Sequence, residues 1–398
     1  MAEKRKILIA GGGIGGITAA LCLVRAGFEV QVFEQANELG EVGAGIQLSA
    51  NAIRVLEYLG LREKLAEIAA QPIRYEFKIF DTAEVLQKIP LGDTHSKKHG
   101  APYLQFHRAD LLAVLVQKAH DVSPSLVHLG KTVTGFDEDE QGVTLKFSDG
   151  TTEHGDILIG ADGIKSAVRA QIAGDTVPEY TGQVAWRVMV PTSDLPKDFM
   201  ELITEIWVGP GKHAVVYFLR RGELLNFVGA VDHAEWSEEG WTVKYPWSDM
   251  KKDFEGWHPN IQTILDAADH DMCFRWALNN RPPIKNWSTD RATLLGDAAH
   301  ATLPYMAQGA AMAIEDGAVL ARALKASDDV NECLQIYQNS RIERTTKIVN
   351  ESSANKKLFH LNSTQELKAA FAKRDISSER SNWLFSYDAL NEKLSPSI

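Results

Sequence analysis

Lys6-Ile7-Leu8-Ile9-Ala10-Gly11-Gly12-Gly13-Ile14-Gly15-Gly16 is the stretch that decides the fold of this chain. Its apolar run predicts a buried parallel strand, and Gly11, Gly13 and Gly16 have the spacing G-x-G-x-x-G. A helical apolar pattern follows, and a second predicted strand ends at Glu34, about 20 residues after the glycines. Together these features predict a β-α-β unit that binds a dinucleotide.

Each glycine has its own role in such a unit. Gly11 permits the tight turn, Gly13 lets the backbone approach a pyrophosphate, and Gly16 lets the helix pack closely on the strand. The helix N-terminus offers free N–H groups and a positive dipole to the phosphates. Glu34 can accept hydrogen bonds from a ribose hydroxyl. Its charge disfavours a 2′-phosphate, so we do not expect the bound adenosine to be that of NADP.

Composition excludes several classes of function. The 398 residues suffice for two or three domain-sized cores, with 44% apolar and 24% charged residues. The net charge of −11 argues against a nucleic acid or an anionic membrane as the main partner. No apolar run predicts a membrane span. The three cysteines, Cys22, Cys273 and Cys333, are scattered and lack metal-binding spacing, which predicts a reduced, cytoplasmic protein without a metal site.

Two later stretches repeat the pattern of a buried strand that ends in a Gly/Asp turn. The first ends at Gly160-Ala161-Asp162-Gly163 and the second at Gly296-Asp297. Ligands bind at the carboxyl ends of strands in an open parallel sheet, so we expect three strand ends around one extended ligand. Each aspartate could also be a simple turn or helix-capping residue.

Other positions indicate close contact with a ligand. Gly45, in the glycine-rich loop 40–47, suggests that backbone passes close to something flat or bulky. Arg108 precedes a predicted helix and could reach a phosphate, although a solvated arginine explains it as well. The helix start at Gly309-Ala310 would present N–H groups to an anion or to a carbonyl that gains negative charge.

The amino-acid composition of the chain changes between about residues 180 and 275. Aromatic and β-branched residues dominate there, and the sequence Arg220-Arg221-Gly222 predicts a hairpin turn. We therefore expect an antiparallel sheet that forms a second domain inserted into the first. Residues 127–136 and 142–147 are expected to form a β-meander.

With these residues the chain resembles the single-component FAD aromatic hydroxylases (class A flavoprotein monooxygenases), especially the salicylate hydroxylase and 3-hydroxybenzoate 6-hydroxylase group. The resemblance rests on the first glycine motif with Glu34, His107-Arg108, Gly160 to Gly163, and Gly296 to His300 with Pro304 and Gln308-Gly309. It implies an α/β fold with a Rossmann-like FAD-binding domain over residues 1–75, 100–180 and 276–350. An antiparallel substrate domain would occupy 76–99 and 181–275, and a helical C-terminal segment 351–398.

The resemblance also implies cofactor contacts. Arg108 would contact the FAD phosphates, Asp162 and its turn would serve FAD and the pyridine nucleotide, and Asp297 would hold the ribityl chain. The Gly309-Ala310 helix start would face the pyrimidine end of the isoalloxazine. The remaining implied cofactor positions are Gly11, Gly13, Ile14, Gly15, Gly16, Glu34, Gln35, Gly45, Gln47, Val133, Gly296 and Pro304.

A histidine and a tyrosine of the family's substrate sheet match His213 and Tyr217. They are four residues apart, so on a strand they share one face. The implied reaction reduces FAD with NADH or NADPH, adds O2 to form a flavin hydroperoxide, and transfers OH to an electron-rich ring. His213, titrating near neutral pH, is expected to take the phenol proton, and Tyr217 to orient a ring substituent. A strand histidine can also be purely structural.

The predicted function is hydroxylation of a small phenolic aromatic acid, salicylate- or hydroxybenzoate-like, by an enzyme that could be a homodimer. A pyridine hydroxylase of the 6-hydroxynicotinate type is an alternative, although Gln47 stands where those enzymes have histidine. An NAD-dependent dehydrogenase and a non-catalytic flavin redox sensor are alternatives from other classes. Arg187, Arg220 and Arg221 are candidate partners for a substrate carboxylate, but surface charge explains them more simply.

Overall fold

The computed structural model describes residues 5–40, 45–174, 176–234, 243–374 and 378–397, so positions 41–44 of the glycine-rich loop lie outside it. Its strands are β1 Lys6–Ala10, β2 Glu29–Phe33, β3 Gly45–Leu48, β4 Arg74–Ile79, β5 Val85–Pro90, β6 Leu104–His107, β7 Val127–His128, β8 Val133–Glu138, β9 Val143–Phe147, β10 Thr152–Gly155, β11 Ile157–Gly160, β12 Glu179–Pro191, β13 Thr204–Gly209, β14 Lys212–Leu219, β15 Leu224–Asp232, β16 Phe274–Asn280 and β17 Ala292–Leu294. Its α-helices are α1 Ile14–Ala26, α2 Ala50–Tyr58, α3 Arg62–Ile68, α4 Gly92–His99, α5 Arg108–Val122, α6 Ala167–Ala173, α7 Trp247–Asp253, α8 Pro259–Asp266, α9 Asp297–His300, α10 Gly309–Ala323, α11 Val330–Phe359, α12 Thr364–Ala372 and α13 Ser378–Phe385. Short 3-10 turns occupy Thr192–Asp194, Arg220–Gly222 and Pro304–Met306.

A five-stranded parallel sheet has the order β17-β11-β1-β2-β7. Ile7, Leu8 and Ile9 of its central strand are completely buried. Helix α1 packs on the sheet, and the three-stranded sheet β8-β9-β10 also packs against it, with a Cβ added at Gly155 lying 2.8 Å from Leu8 Cγ. Residues 127–128 pair with β2, so the expected meander is wrong there. The antiparallel meander is instead β8-β9-β10.

Small residues let α1 and α10 pack with their backbones close together. A Cβ added at Gly15 would lie 3.0 Å from that of Ala313, and one added at Gly317 would lie 2.9 Å from the Cα of Ala19. Gly15 faces Ala313, and four residues later in both helices Ala19 faces Gly317. The two helices therefore run in the same direction. Their N-termini therefore lie side by side at one edge of the parallel sheet.

A seven-stranded sheet has the order β16-β12-β15-β14-β13-β4-β5. It is antiparallel as expected except between β13 and β4, which are parallel. One face packs on α7 and α8 through residues such as Trp207 and Phe254. The opposite face packs on Leu303 and Tyr305, which follow α9 directly, and on Phe359 at the end of α11.

The domain limits expected at 75/76, 180/181 and 275/276 fall inside β4, β12 and β16, and that at 350/351 falls inside α11. We therefore propose that the substrate domain takes whole strands and that α11 belongs to both the nucleotide domain and the C-terminal segment. The C-terminal residues pack inward, since Leu384 and Ala389 are buried and Arg54 donates to the Tyr387 carbonyl over 2.6 Å. No helix in the described ranges combines the length and the apolar character that crossing a bilayer requires.

Candidate active site

The turns after β1, β11 and β17 lie next to one another, as the sequence predicted. The Ala161 amide donates to the Ala10 carbonyl over 2.8 Å, and the Leu295 amide donates to the Gly160 carbonyl over 2.9 Å. Gly11 has φ +103°, and an added Cβ would lie 2.7 Å from the Ala161 carbonyl carbon. Three segments far apart in the chain thus form one continuous sheet edge.

The first turn has the shape that a pyrophosphate needs. An added Cβ at Gly13 would meet nothing within 4 Å, whereas one at Gly16 would fall on the Gly11 carbonyl oxygen. Glu34 accepts from the Gly12 amide over 2.7 Å and from the Ala36 amide over 2.9 Å. The space in front of Gly13 is therefore open at the point where the N–H groups of α1 converge.

The two aspartates of the later turns have different environments. The Asp162 carboxylate accepts from the Ser166 hydroxyl and from the amides of Ala167 at 2.8 Å and Val168 at 3.3 Å, so it caps α6. Burial raises the pKa of Asp162 despite these bonds. Asp297, in contrast, is exposed at the start of α9, directly after Gly296 with φ +62°. Of these two aspartates, Asp297 has the carboxylate that is open to a ligand.

A buried charge network supports the turn at Gly296. One oxygen of Asp316 accepts from the Gly296 amide at 3.0 Å and lies 2.6 Å from His300 Nε2, and the other pairs with Arg341 Nε at 2.7 Å. Arg341 Nη2 also pairs with Glu315 at 2.7 Å, and the Arg341, Glu315 and Asp316 side chains are completely buried. The network attaches the turn to α10 and α11.

The remaining predicted cofactor positions lie at the starts of elements or in the turns beside them. Gly309 and Ala310 begin α10, and Pro304 is exposed in the turn before it. Arg108 begins α5, directly after β6. Val133 begins β8, close to Glu34, since the Lys131 amide donates to the Glu34 carbonyl over 2.8 Å. The exposed Gln35 follows Glu34.

Residues 45–47 of the expected loop are in strand β3, and a cluster of hydroxyl and amide groups lies where β14 meets Gly45. An added Cβ at Gly45 would lie 2.6 Å from Tyr217 Cζ, so the flat group against this glycine is the Tyr217 ring. Gln47 Oε1 accepts from the hydroxyls of Tyr75 at 2.7 Å and Tyr103 at 3.1 Å, and those two hydroxyls also bond to each other. Burial raises the pKa of Tyr217, so this phenol stays protonated and can donate.

His213 lies on the same face of β14 as Tyr217 and is 4% exposed. Its ring centroid is 4.9 Å from that of Tyr305, which follows Pro304. Its Nδ1 lies 2.8 Å from His360 Nε2. Burial, and secondly His360, lower the pKa of His213 well below its usual value. The expectation that His213 titrates near neutral pH therefore differs from the structure, because the strand is covered on this face.

The arginines predicted as partners for a substrate carboxylate differ in where they lie. Arg220 makes a bidentate pair with Asp110 at the surface, at 2.7 and 2.9 Å, as the simpler interpretation expected. Arg187 instead lies on the same face of the sheet as His213, with its guanidinium 4.2 Å from the centroid of the Trp276 ring. Sequence reasoning missed Tyr75, Tyr103 and His360, of which only Tyr75 had a signal, as part of the alternating pattern in β4.

A family model described as "FAD binding domain" matches residues 4–352. The chain belongs to this family. It is 35% identical over 398 residues to 6-hydroxynicotinate 3-monooxygenase of Pseudomonas fluorescens, covering 99% of this chain and 98% of the relative. It is 38% identical over 362 residues to 3-hydroxybenzoate 6-hydroxylase of Polaromonas naphthalenivorans (strain CJ2), covering 91% and 90%.

Solved structures agree with this membership of the FAD-binding family. Klebsiella pneumoniae HpxO complexed with FAD and uric acid has a TM-score of 0.82 at 28% identity, covering 95% of this chain and 94% of that one. A salicylate hydroxylase substrate complex has a TM-score of 0.82 at 25% identity, covering 98% and 97%. The chain is thus a class A FAD-dependent aromatic monooxygenase, and the dehydrogenase and redox-sensor alternatives are not supported. Its reaction takes an aromatic substrate, O2 and a reduced nicotinamide.

Proposed function

We propose that this enzyme hydroxylates a small aromatic ring that carries a phenolic hydroxyl and a carboxylate, of the hydroxybenzoate or salicylate type. The observation that carries the proposal is the position of His213. This buried imidazole shares a sheet face with the Tyr217 phenol and the Arg187 guanidinium and contacts Tyr305 beside Pro304. A base, a hydroxyl donor and a cation on one face of the sheet match the phenolic hydroxyl, a ring substituent and the carboxylate of a hydroxylated aromatic acid.

The residues at the sheet edge fit FAD, because Gly13 leaves open space and the N-termini of α1 and α10 lie together. We infer that the turn at Gly11–Gly16 and Glu34 hold the ADP half, with Arg108, Gln35 and Val133 nearby. Asp297 would bond the ribityl hydroxyls, with the Asp162 turn contributing backbone rather than carboxylate. Gly45, Gln47, Gly296, Pro304, Gly309 and Ala310 complete the proposed contacts. When bound, FAD supplies the redox and oxygen chemistry.

The roles of the substrate-facing residues follow from their protonation states. The neutral His213 imidazole can accept the phenol proton, which makes the ring more electron-rich. Tyr217, held protonated by burial, would donate a hydrogen bond to a ring substituent. Arg187, two strands from β14, would bind the carboxylate, for which a planar guanidinium is suited.

A pyridine substrate is the second candidate, favoured by the similarity over 99% of the chain to 6-hydroxynicotinate 3-monooxygenase. A hydroxypyridine carboxylate presents the same hydroxyl and carboxylate to His213 and Arg187. The amide of Gln47 and its tyrosine partners would distinguish the two rings, since an amide can bond to a ring nitrogen.

One screen tests the proposal. Hydroxybenzoates and hydroxypyridines are assayed for stimulated oxidation of NADH and NADPH, with the products identified by mass. When assayed with the best substrate from the screen, the His213→Ala variant should have a kcat lower by about 10²- to 10⁴-fold, while its FAD content stays normal. His120→Ala, at an exposed histidine at the end of α5, is the matched control. Loss of FAD with normal turnover by the remaining holoenzyme would contradict the role of His213.

Assembly and location remain predictions. We propose a homodimer, which sedimentation at several concentrations would test. We propose a cytoplasmic location, supported by three free, buried cysteine thiols at Cys22, Cys273 and Cys333.

A further inference from the structure

A chain of hydrogen bonds leads from His213 to the protein surface. His213 Nδ1 lies 2.8 Å from His360 Nε2, and His360 Nδ1 lies 2.8 Å from Asp232 Oδ1. The exposure of the side chains rises along the chain, from the buried His213 through His360 at 5% to Asp232 at 50%. The three groups come from β14, the residue after α11, and the end of β15.

With both imidazoles neutral, the carboxylate at the outer end sets the direction of the hydrogen bonds along the chain. Asp232 is an acceptor, so His360 Nδ1 carries a proton and donates it to Asp232. His360 Nε2 then carries a lone pair and accepts from His213 Nδ1–H. The remaining nitrogen of His213, Nε2, is consequently the unprotonated one. The outer groups thus hold His213 in the tautomer that can accept a proton from a substrate hydroxyl.

A second set of bonds holds the carboxylate in place. Gln183 Nε2 donates to Asp232 Oδ1 over 2.6 Å and also lies 3.0 Å from His360 Nδ1. Gln183 Oε1 accepts from the Tyr305 hydroxyl. The amide orientation of Gln183 is therefore set by Tyr305 on one side and by Asp232 on the other.

On this basis we propose that His360 and Asp232 form a proton relay that carries the substrate phenol proton from His213 to solvent. The inference rests on the proposed function. The substrate O–H bond breaks as His213 Nε2 gains the proton. His213 Nδ1 gives its proton to His360 Nε2, and His360 Nδ1 gives its proton to Asp232, which releases it to water. The substrate is left as phenolate, and both imidazoles are neutral with their protons on the Nε2 atoms. The starting tautomers return when the product takes a proton from His213 Nε2 on leaving and a solvent proton enters through Asp232 and His360.

The environment of His213 makes such a relay useful. Burial disfavours a charged imidazolium there, so His213 alone is a poor final holder of the proton. The pKa of Asp232 is lowered by His360 and Gln183 against the effect of burial, with a smaller contribution from Lys356 on α11. Among described residues, the other titratable groups that face the chain are Tyr305 and Tyr180, whose pKa values are raised chiefly by burial.

The relay is tested with the oxidised holoenzyme and 3-hydroxy-4-nitrobenzoate, a phenol whose ionisation changes its visible absorbance. In the wild type, the bound probe should ionise at lower pH than the free probe and release its proton to a dye in the medium. Asp232→Asn and His360→Phe should slow the release of the probe proton to the medium, followed by stopped flow, by at least about tenfold, and should lower kcat. The equilibrium pKa of the bound probe should not rise, because a relay changes the rate of proton transfer and not its end state.

Controls separate the relay from folding and from the proposed function. Asp232→Asn alters a half-exposed, isosteric side chain, so FAD content and melting temperature should stay normal. Glu255→Gln removes an exposed carboxylate between α7 and α8, on the opposite side of the sheet, and should leave the probe titration unchanged. A probe that binds and releases its proton at the same rate in the wild type and in both relay variants would refute the relay alone. Failure of every hydroxybenzoate to bind the wild type would overturn the proposed function and the relay together.

Discussion

Replacing Arg341 by methionine tests whether buried charges hold the cofactor edge together. Arg341 pairs with Glu315 and with Asp316, both at 2.7 Å, and all three side chains are completely buried. Removing one partner of a buried ion pair costs about 3–5 kcal/mol, because the remaining carboxylates stay out of water with less compensation. The Arg341→Met variant should therefore fold with much lower stability.

The expected change in melting temperature follows from the size of the chain. An unfolding entropy of about 2.1 cal/mol/K per residue amounts to about 0.8 kcal/mol/K for 398 residues. A loss of about 3–5 kcal/mol then lowers the melting temperature by about 4–6 °C. Differential scanning calorimetry of apoprotein measures this without a contribution from FAD. The control Arg62→Met breaks an exposed pair with Glu57 and should cost no more than about 1 kcal/mol.

The loss of stability in Arg341→Met should also depend on pH. Burial alone would raise the pKa of Asp316, but His300 and Arg341 lower it to about 2, from a usual 3.8. Ionised Asp316 therefore stabilises the fold above its unfolded pKa, and this contribution is lost as pH falls through about 2. Without Arg341 the folded pKa rises, so the difference in stability should be full at pH 7 and shrink below about pH 5. A melting temperature within one degree of wild type at about pH 7, or a difference that widens in acid, would refute the reasoning.

Four other substitutions test the cofactor and substrate contacts. Gly45→Ala would place a methyl carbon 2.6 Å from Tyr217 Cζ, so aromatic ligands should bind more weakly to the FAD-loaded fraction of the enzyme, and unchanged flavin difference spectra would contradict this. Asp297→Ala should purify with little FAD, as measured by flavin absorbance, and a yellow, fully loaded variant would show that this carboxylate is not needed. Gly13→Ala has open space around it and should fold normally while binding FAD at least about tenfold more weakly, whereas Gly16→Ala collides with backbone and should lower the yield of folded protein. Calorimetric FAD titration of Gly13→Ala gives the affinity, and wild-type binding would argue against a pyrophosphate at that turn.

Much of the nucleotide domain could be predicted because its signals are local. The strand at Ile7–Ala10, the glycines after it and Glu34 lie within one stretch of sequence, and the geometry of each follows from its neighbours. The turns at Asp162 and Asp297 repeat that pattern, so their meeting at one sheet edge followed from the rule for parallel strands. The common face of His213 and Tyr217 followed from strand periodicity alone.

What the sequence left open depends on distant partners. His360 is 147 residues from His213, and nothing in its surroundings indicates that the two rings meet. The low pKa of His213 depends on the elements that cover β14, so a residue-based expectation of neutral titration was wrong. That Asp162 caps α6 was one of two interpretations, and the bonds to Ser166 and Ala167 support it. Its contact with the cofactor stays a prediction.

Helix α11 is one continuous helix that connects the turn at Gly296 with the face of the substrate sheet that carries His213. Arg341 in its first half supports the turn at Gly296, and His360, directly after its last turn, meets His213. The two positions are 19 residues apart, which corresponds to about 28 Å at 1.5 Å per residue. One extra residue in that interval would rotate His360 by about 100° relative to Arg341. The spacing between these two positions should therefore tolerate substitution far better than insertion or deletion.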